Sequence, residues 1–230
     1  ATQGTVDLIP CDFSDMDQIR AAARAFEAKY DRLDVLLNNA GAYFPQRLES
    51  AQGLEMTFAV NHLGYFLLTH ELRSLLASTE SSRVVNVSSR AHASGQLDFD
   101  DLQFETRPYR AMKAYGTSKL ANILFTRELA RRLEGTGTTA NCVHPGVIRS
   151  GFGKDEPGLM KWLVYIGGPF LQSPKAGARG NIHLSTSPDV ADISGEYFIG
   201  KKVKQTSKAG ADLEAARRLW EVSESLCGIA

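Results

Sequence analysis

The stretch RVVNVSS, residues 83–89, decides how the chain is read. Arg83 to Val87 is β-branched and nearly all apolar, the composition of a strand. It stops at Ser88-Ser89, and a polar, irregular stretch follows over 90–110. The same unit recurs outward in both directions. Upstream, LDVLL at 33–37 reads as a strand that ends in Asn38-Asn39-Ala40-Gly41, and a long helical pattern then runs from about Leu54 to Leu76. Further upstream, TVDLIP at 5–10 is a short strand candidate. Ser14 stands as the N-cap of a helix through about Tyr30, with Met16, Ile19, Ala23 and Phe26 at helical spacing. Downstream, a helix from about Ala111 to Leu133 leads to a strand, TTANCV at 138–143, terminated by His144-Pro145-Gly146. Residues 150–173 are rich in Gly and Pro around an apolar patch, Leu159 to Ile166, and read as a mobile flap holding a short helix. Pro174 opens a helix to about Ser185, GEYFI at 195–199 is the last strand, and a helix from about Ala209 to Leu226 closes the pattern.

Alternating strands and helices predict an α/β fold, a parallel sheet with helices on both faces. No repeat, low-complexity tract or linker interrupts residues 1–230, so a single domain is expected. Right-handed crossovers align the strand C-termini along one edge, where open α/β sheets bind ligands. Asp12, Asn39-Ala40-Gly41, Ser88-Ser89 and Pro145-Gly146 all fall at that edge. Turn chemistry accounts for Gly and Asn at two of these ends, but not for polar residues at four in succession.

The 230 residues carry 26 basic and 26 acidic side chains, a net charge of zero, which argues against a nucleic-acid-binding module. No run within them approaches the ~20 apolar residues of a membrane span, and the N-terminal stretch lacks a signal peptide's apolar core. Cys11, Cys142 and Cys227 are odd in number and far apart, which favours free thiols in a reducing compartment. No His, Cys, Asp or Glu cluster has metal-ligand spacing.

The sharpest local feature is Tyr115-Gly116-Thr117-Ser118-Lys119. At i and i+4 on a helix, Tyr and Lys leave the same face. A free tyrosine, with a pKa of ~10, is a poor acid-base group near neutrality. A nearby ammonium stabilises the phenolate and lowers that pKa. Alone, such a pair is as readily a surface tyrosine beside a solvated lysine.

Five segments taken together say more: NNAG at 38–41, VNHLG at 60–64, VVNVSS at 84–89, YGTSK at 115–119 and HPGVIRS at 144–150. Their order and spacing resemble the short-chain dehydrogenase/reductase family over nearly the whole chain. LTHELRSLL, RVVNVSSRAH, LDFDDLQ, SKLANILFTRELARRL and RRLWEVSESL further resemble its retinol dehydrogenase-like branch.

The resemblance implies a Rossmann-type doubly wound sheet and nicotinamide-dependent alcohol/carbonyl chemistry. It implies that Tyr115 exchanges a proton with the substrate oxygen, that Lys119 lowers the Tyr115 pKa and bonds the nicotinamide ribose, and that Ser89, rather than Ser88, holds the substrate oxygen. Asn61 would sit at a break in the long helix and order a water linking Lys119 to solvent. For the cofactor, it implies adenine contacts at Asp12 and Phe13 and a close backbone turn at Asn39, Ala40 and Gly41. The nicotinamide carboxamide would be bonded by Pro145, Gly146 and Ile148, with a hydroxyl at Ser150. Residues 151–171 match the substrate-binding flap. His92 and His144 are discounted as bases, since the Tyr-Lys pair fills that role. NADP is the implied cofactor, NAD the alternative, and a homodimer through the long helices is a family expectation.

The family's first strand, its TGxxxGxG turn and its second strand, which selects NAD or NADP, have no counterpart in these residues. The expectation is therefore a Rossmann-type domain lacking its N-terminal strand, Gly-rich turn and helix, the βαβ half that binds pyrophosphate. A membrane anchor carried by related proteins would lie in that part, leaving the location either cytoplasmic or on a cytosol-facing membrane. Apolar flap residues such as Leu159, Trp162 and Phe170 favour a small hydrophobic carbonyl or alcohol substrate. A second reading is a non-catalytic, cofactor-sensing or scaffolding protein on the same fold. Sugar-nucleotide epimerases share YxxxK, but their longer C-terminal substrate domain is not matched by the few residues after the last strand.

Overall fold

The computed structural model of the chain describes residues 4–146 and 173–229. Five strands form one sheet in sequence order: β1 (Val35–Asn38), β2 (Arg83–Val87), β3 (Thr139–His144), β4 (Tyr197–Ile199) and β5 (Lys202–Val203). The first four are parallel, and β5 turns back antiparallel on β4. Gly200, at φ 60°, supplies the left-handed residue of that hairpin, which the sequence pattern did not announce.

The helices are α1 (Met16–Glu27), α2 (Met56–Phe58), α3 (Gly64–Glu71), α4 (Arg73–Ser78), α5 (Ala111–Arg132), α6 (Pro174–Thr186) and α7 (Leu213–Leu226). Alternate residues of β2 face opposite ways, as strand pleating dictates. Val84 joins Leu36 and Ala140 in a core covered by α1, α3, α5 and α7. Val85 and Val87 join Val143, Leu184 and Phe198 in a second core under α6. Helices on both faces of a mainly parallel sheet make this the doubly wound arrangement expected from the alternation.

Two local expectations are corrected. Residues 5–10 form no strand, and Val6 and Leu8 are exposed. An apolar run of strand composition still needs a neighbouring ladder to satisfy its backbone, and among the described residues it finds none. The cap of α1 is Asp15, whose carboxylate accepts from Asp17 N, rather than Ser14. Ser14 is occupied one turn earlier, donating through N and Oγ to Asp12 Oδ1 at 2.8 and 2.7 Å.

The long helical pattern at 54–76 is broken into pieces. Glu55, fully buried, caps α2 by accepting from Thr57 N and Phe58 N. A π-helical turn, Ala59–Leu63, separates α2 from α3 and contains Asn61. Such single wide turns inside helices are often found at functional positions.

Candidate active site

Strand register sets the site. Asn38 aligns with Asn86, Asn86 with Cys142, and Val87 with Val143, so the C-terminal ends of β1, β2 and β3 lie side by side. Two buried asparagines stitch this edge. Asn38 Nδ2 donates to Asn86 Oδ1 at 2.8 Å and to Thr69 Oγ1 at 3.0 Å, and Asn86 Nδ2 donates to Thr126 Oγ1 at 3.0 Å. Polar groups removed from water need such partners, and here they also tie β1 and β2 to α3 and α5.

Helix α5 brings Tyr115 and Lys119 to the end of β2. Ser88 Oγ donates to Lys119 O at 2.7 Å. Beyond Ser89, a 3-10 turn over Arg90–Ser94 runs against the N-terminal end of α5. Contact there is backbone to backbone: a Cβ on Gly95 would lie 2.3 Å from Gly116 O, and one on Gly116 would lie 2.8 Å from Ala91 O. Thr117 Oγ1 fastens the same contact, donating to Gln96 O at 3.0 Å and accepting from Gln96 N at 3.3 Å. Ser89 is thereby held against Tyr115, close enough for its hydroxyl to act on the phenol. Burial pushes the Tyr115 phenol above its ordinary value, and the neighbouring Ser89 hydroxyl pulls it back. Ser89 Oγ also accepts from Ala91 N at 3.2 Å.

Lys119 is 3% exposed, and burial lowers its ammonium to about 8. Its Nζ donates to Val87 O at 3.2 Å and lies 5.6 Å from the centre of the Tyr115 ring. Asn61, fully buried, uses its whole amide. Nδ2 donates to Ala42 O at 2.9 Å and to Ser118 Oγ at 3.1 Å, while Oδ1 accepts from Ala42 N at 2.8 Å. Asn61 therefore fixes the turn after β1 to α5. Gly41 is where these groups converge, since a Cβ there would lie 3.3 Å from both Asn61 Oδ1 and Lys119 Nζ.

Sequence reasoning placed Asn39, Ala40 and Gly41 at a turn that a nicotinamide cofactor would approach closely; in the structure Gly41 packs against Asn61 and Lys119 with little room for a side chain. Ala40 O accepts from Tyr65 OH at 2.5 Å, and Asn39 Oδ1 accepts from Asn181 Nδ2 at 3.3 Å. A cleft of about 470 Å³ opens between this turn, the Pro145 end of β3 and the Gly177–Asn181 face of α6. Gly146 follows at φ 94°. Asp12 is exposed and acidified by its bonds from Ser14, and the ring of Phe13 packs into the place a side chain on Gly64 would occupy. Ile148, Ser150 and the 151–171 flap lie outside the described residues. Asn39 and Pro145 line this cleft, while Tyr115, Lys119 and Gly41 gather beside it at the ends of β1 and β2, where Gly41 lies against Asn61 and Lys119.

Three residues escaped the sequence reading. Asn122, one turn beyond Lys119, donates through Nδ2 to Asn61 O at 2.9 Å and to Val87 O at 3.2 Å, the carbonyl that also receives Lys119. A polar residue on the buried face of α5 was the only signal. Tyr65 backs Lys119, with its ring centre 5.7 Å from Nζ. Tyr43 meets Tyr115 edge to face at 6.3 Å. His144 is buried, its imidazole pushed down to about 4 by burial. Among the described residues, no three His, Cys, Asp or Glu side chains gather to hold a metal ion. No described helix is long and apolar enough to cross a membrane.

The family model of the short chain dehydrogenases matches residues 1–157. Retinol dehydrogenase 14 of Mus musculus is 42% identical over 231 residues, covering 99% of this chain and 69% of the relative. The chain spans about two thirds of the length of the curated relatives it matches. A crystal structure of an uncharacterised protein from Mycobacterium Paratuberculosis superposes with a TM-score of 0.75 at 30% identity, covering 95% of this chain and 74% of that one. The RhlG/NADP active-site complex of Pseudomonas aeruginosa superposes with a TM-score of 0.64 at 27% identity, covering 83% and 73%. The chain belongs to the short-chain dehydrogenase family of NAD(P)-dependent oxidoreductases, on its retinol dehydrogenase-like branch.

Proposed function

We propose that the protein interconverts a hydrophobic alcohol and its aldehyde or ketone, with Tyr115 as the acid-base group. The observation that carries this reading is the buried Lys119 amine 5.6 Å from the Tyr115 ring, with the Ser89 hydroxyl acting on the same phenol. A bound nicotinamide would supply or accept the hydride. The protein's part is to hold the substrate oxygen and move its proton.

Ser89 presents a hydroxyl beside the phenol, so one substrate oxygen can meet both groups. In reduction the Tyr115 phenol donates its proton to the carbonyl oxygen; in oxidation the phenolate takes it back. Burial alone would hold Tyr115 protonated, which suits the donor role and hinders the reverse one. The Ser89 hydroxyl opposes burial, and a positive charge on Lys119 would act in the same direction. With an ammonium lowered to about 8, Lys119 remains mostly charged at neutral pH and can also release a proton within a moderate pH range. Asn61 and Asn122 hold the backbone around it. NADP is the preferred cofactor in this reading, and retinoid-like or other apolar aldehydes are the substrate class, following the related dehydrogenases. A scaffold would need none of Asn61, Ser89, Tyr115 and Lys119.

The test is reduction of an apolar aldehyde by the full-length protein with NADPH or NADH. Replacing Tyr115 by Phe removes the proton donor and keeps the ring, so kcat is expected to fall ~100-fold or more, in the range of general-acid contributions. Wild-type turnover equalled by the Tyr115→Phe variant would overturn the assignment.

A further inference from the structure

The geometry points to His92 as a positioning residue that fixes the Ser89 backbone through one neutral imidazole tautomer. This deepens the acid-base reading of Ser89 and Tyr115 and rests on it.

His92 sits in the 3-10 turn that leaves the end of β2 and is only 5% exposed. Both of its ring nitrogens are engaged. Nδ1 lies 2.7 Å from Ser89 O, and Nε2 accepts from Ser207 N at 3.1 Å. A carbonyl oxygen can only accept and a backbone N–H can only donate. The proton therefore resides on Nδ1 and the lone pair on Nε2, without ambiguity. The His92 backbone N donates to the same Ser89 carbonyl at 3.1 Å. Ser89 is thus gripped twice by one residue.

The other end of the ring reaches a segment far along the chain. Ser207 stands just before a 3-10 turn, Ala209–Ala211, that packs on α5. Gly210 donates through N to Ser207 Oγ at 3.3 Å, and a Cβ on it would lie 3.5 Å from Ile123 Cγ2 of α5. Tyr197 of β4 closes the ring's flank edge to face at 5.0 Å. Ser89, His92, the Ser207 segment and α5 form a closed circuit, and α5 carries Tyr115. The circuit sets where the Ser89 hydroxyl stands relative to the phenol. An error of about 1 Å in such an alignment is costly to rate.

Two measurements on the full-length protein test this. Nitrogen-15 NMR of the His92 ring in the wild-type protein at neutral pH should show a neutral imidazole protonated on Nδ1; protonation on Nε2 alone overturns the clamp. In steady-state aldehyde reduction, His92→Leu should lower kcat by about tenfold, with KM for the nicotinamide within about twofold. His92→Asn, whose amide nitrogen stands near the place of Nδ1 and can reach Ser89 O, should recover most of that loss, whereas His92→Gln, whose longer side chain carries its amide to the place of Nε2 beside Ser207 N, should not. Equal kcat in the wild type and all three variants overturns the proposal. A folded wild-type protein with no turnover sinks the oxidoreductase chemistry instead, and the tautomer alone then decides the clamp.

Discussion

Lys119 shows how one residue can serve the site at the expense of the fold. An ammonium lowered from 10.5 to about 8 by burial costs the folded state on the order of 3 kcal/mol. Removing it leaves Val87 O one donor short, which returns ~1 kcal/mol, so Lys119→Met should stabilise by about 1–2 kcal/mol while abolishing turnover. The sign with pH follows from the direction of the shift. Below pH 8 both states carry the charge and the full cost is felt. Between 8 and 10.5 the folded state sheds its proton first and the cost fades; above 10.5 it is gone. Urea denaturation at pH 7 and near pH 10.5 checks this: the variant's advantage should be present at the first and absent at the second. Much at this scale was legible, because Tyr115, Lys119, Ser89 and Asn61 carry unusual chemistry in recognisable neighbourhoods. Asn122 and His92 were not, since their importance lies in which carbonyls they reach, and reach is a property of the folded chain.

At the scale of elements, the site depends on α5 approaching the 3-10 turn at van der Waals distance. Gly116 makes that approach possible, because a methyl there would sit 2.8 Å from Ala91 O and 2.9 Å from Ser94 Oγ. Alanine is the better helix former by ~1 kcal/mol, yet Gly116→Ala should lower Tm, since overpacking costs about 1–3 kcal/mol. The same displacement should carry Tyr115 away from Ser89 and lower kcat more than it lowers cofactor affinity. A Tm at or above wild type with unchanged kcat would contradict this. Local pattern recovered the elements whose signal is local. β2 was read to the residue, and α5 to within one position of its end. It failed where pairing decides. The 5–10 run has strand composition and no ladder among the described residues, whereas the two-residue β5 exists only because Gly200 folds it onto β4. The Gly95–Gly116 contact was equally invisible, because two glycines 21 positions apart say nothing separately.

For the whole molecule, the apolar packing on both faces of one sheet makes the cysteines reporters of integrity. Cys142 and Cys227 are each 1% exposed, while Cys11 is half-buried at the edge of the larger core. Burial raises all three thiols, Cys142 and Cys227 to about 12. A thiol reagent at neutral pH should therefore label Cys11 alone, slowly, and reach the other two only on unfolding. Rapid labelling of Cys142 in native buffer would show that β3 is not packed under α5 as described. The doubly wound architecture was legible from the alternation of strands and helices, and the edge that bears the site followed from crossover handedness. The depth at which Lys119 is buried was not, because it depends on Tyr65, Val87 and Asn122 arriving from separate elements. The acid-base role of Tyr115 is tested by reduction of an apolar aldehyde by the full-length protein with NADPH, wild type beside Tyr115→Phe. It predicts wild-type turnover and a loss of ~100-fold or more in kcat for the variant, with the nicotinamide still bound. Equal turnover by the two proteins would contradict it.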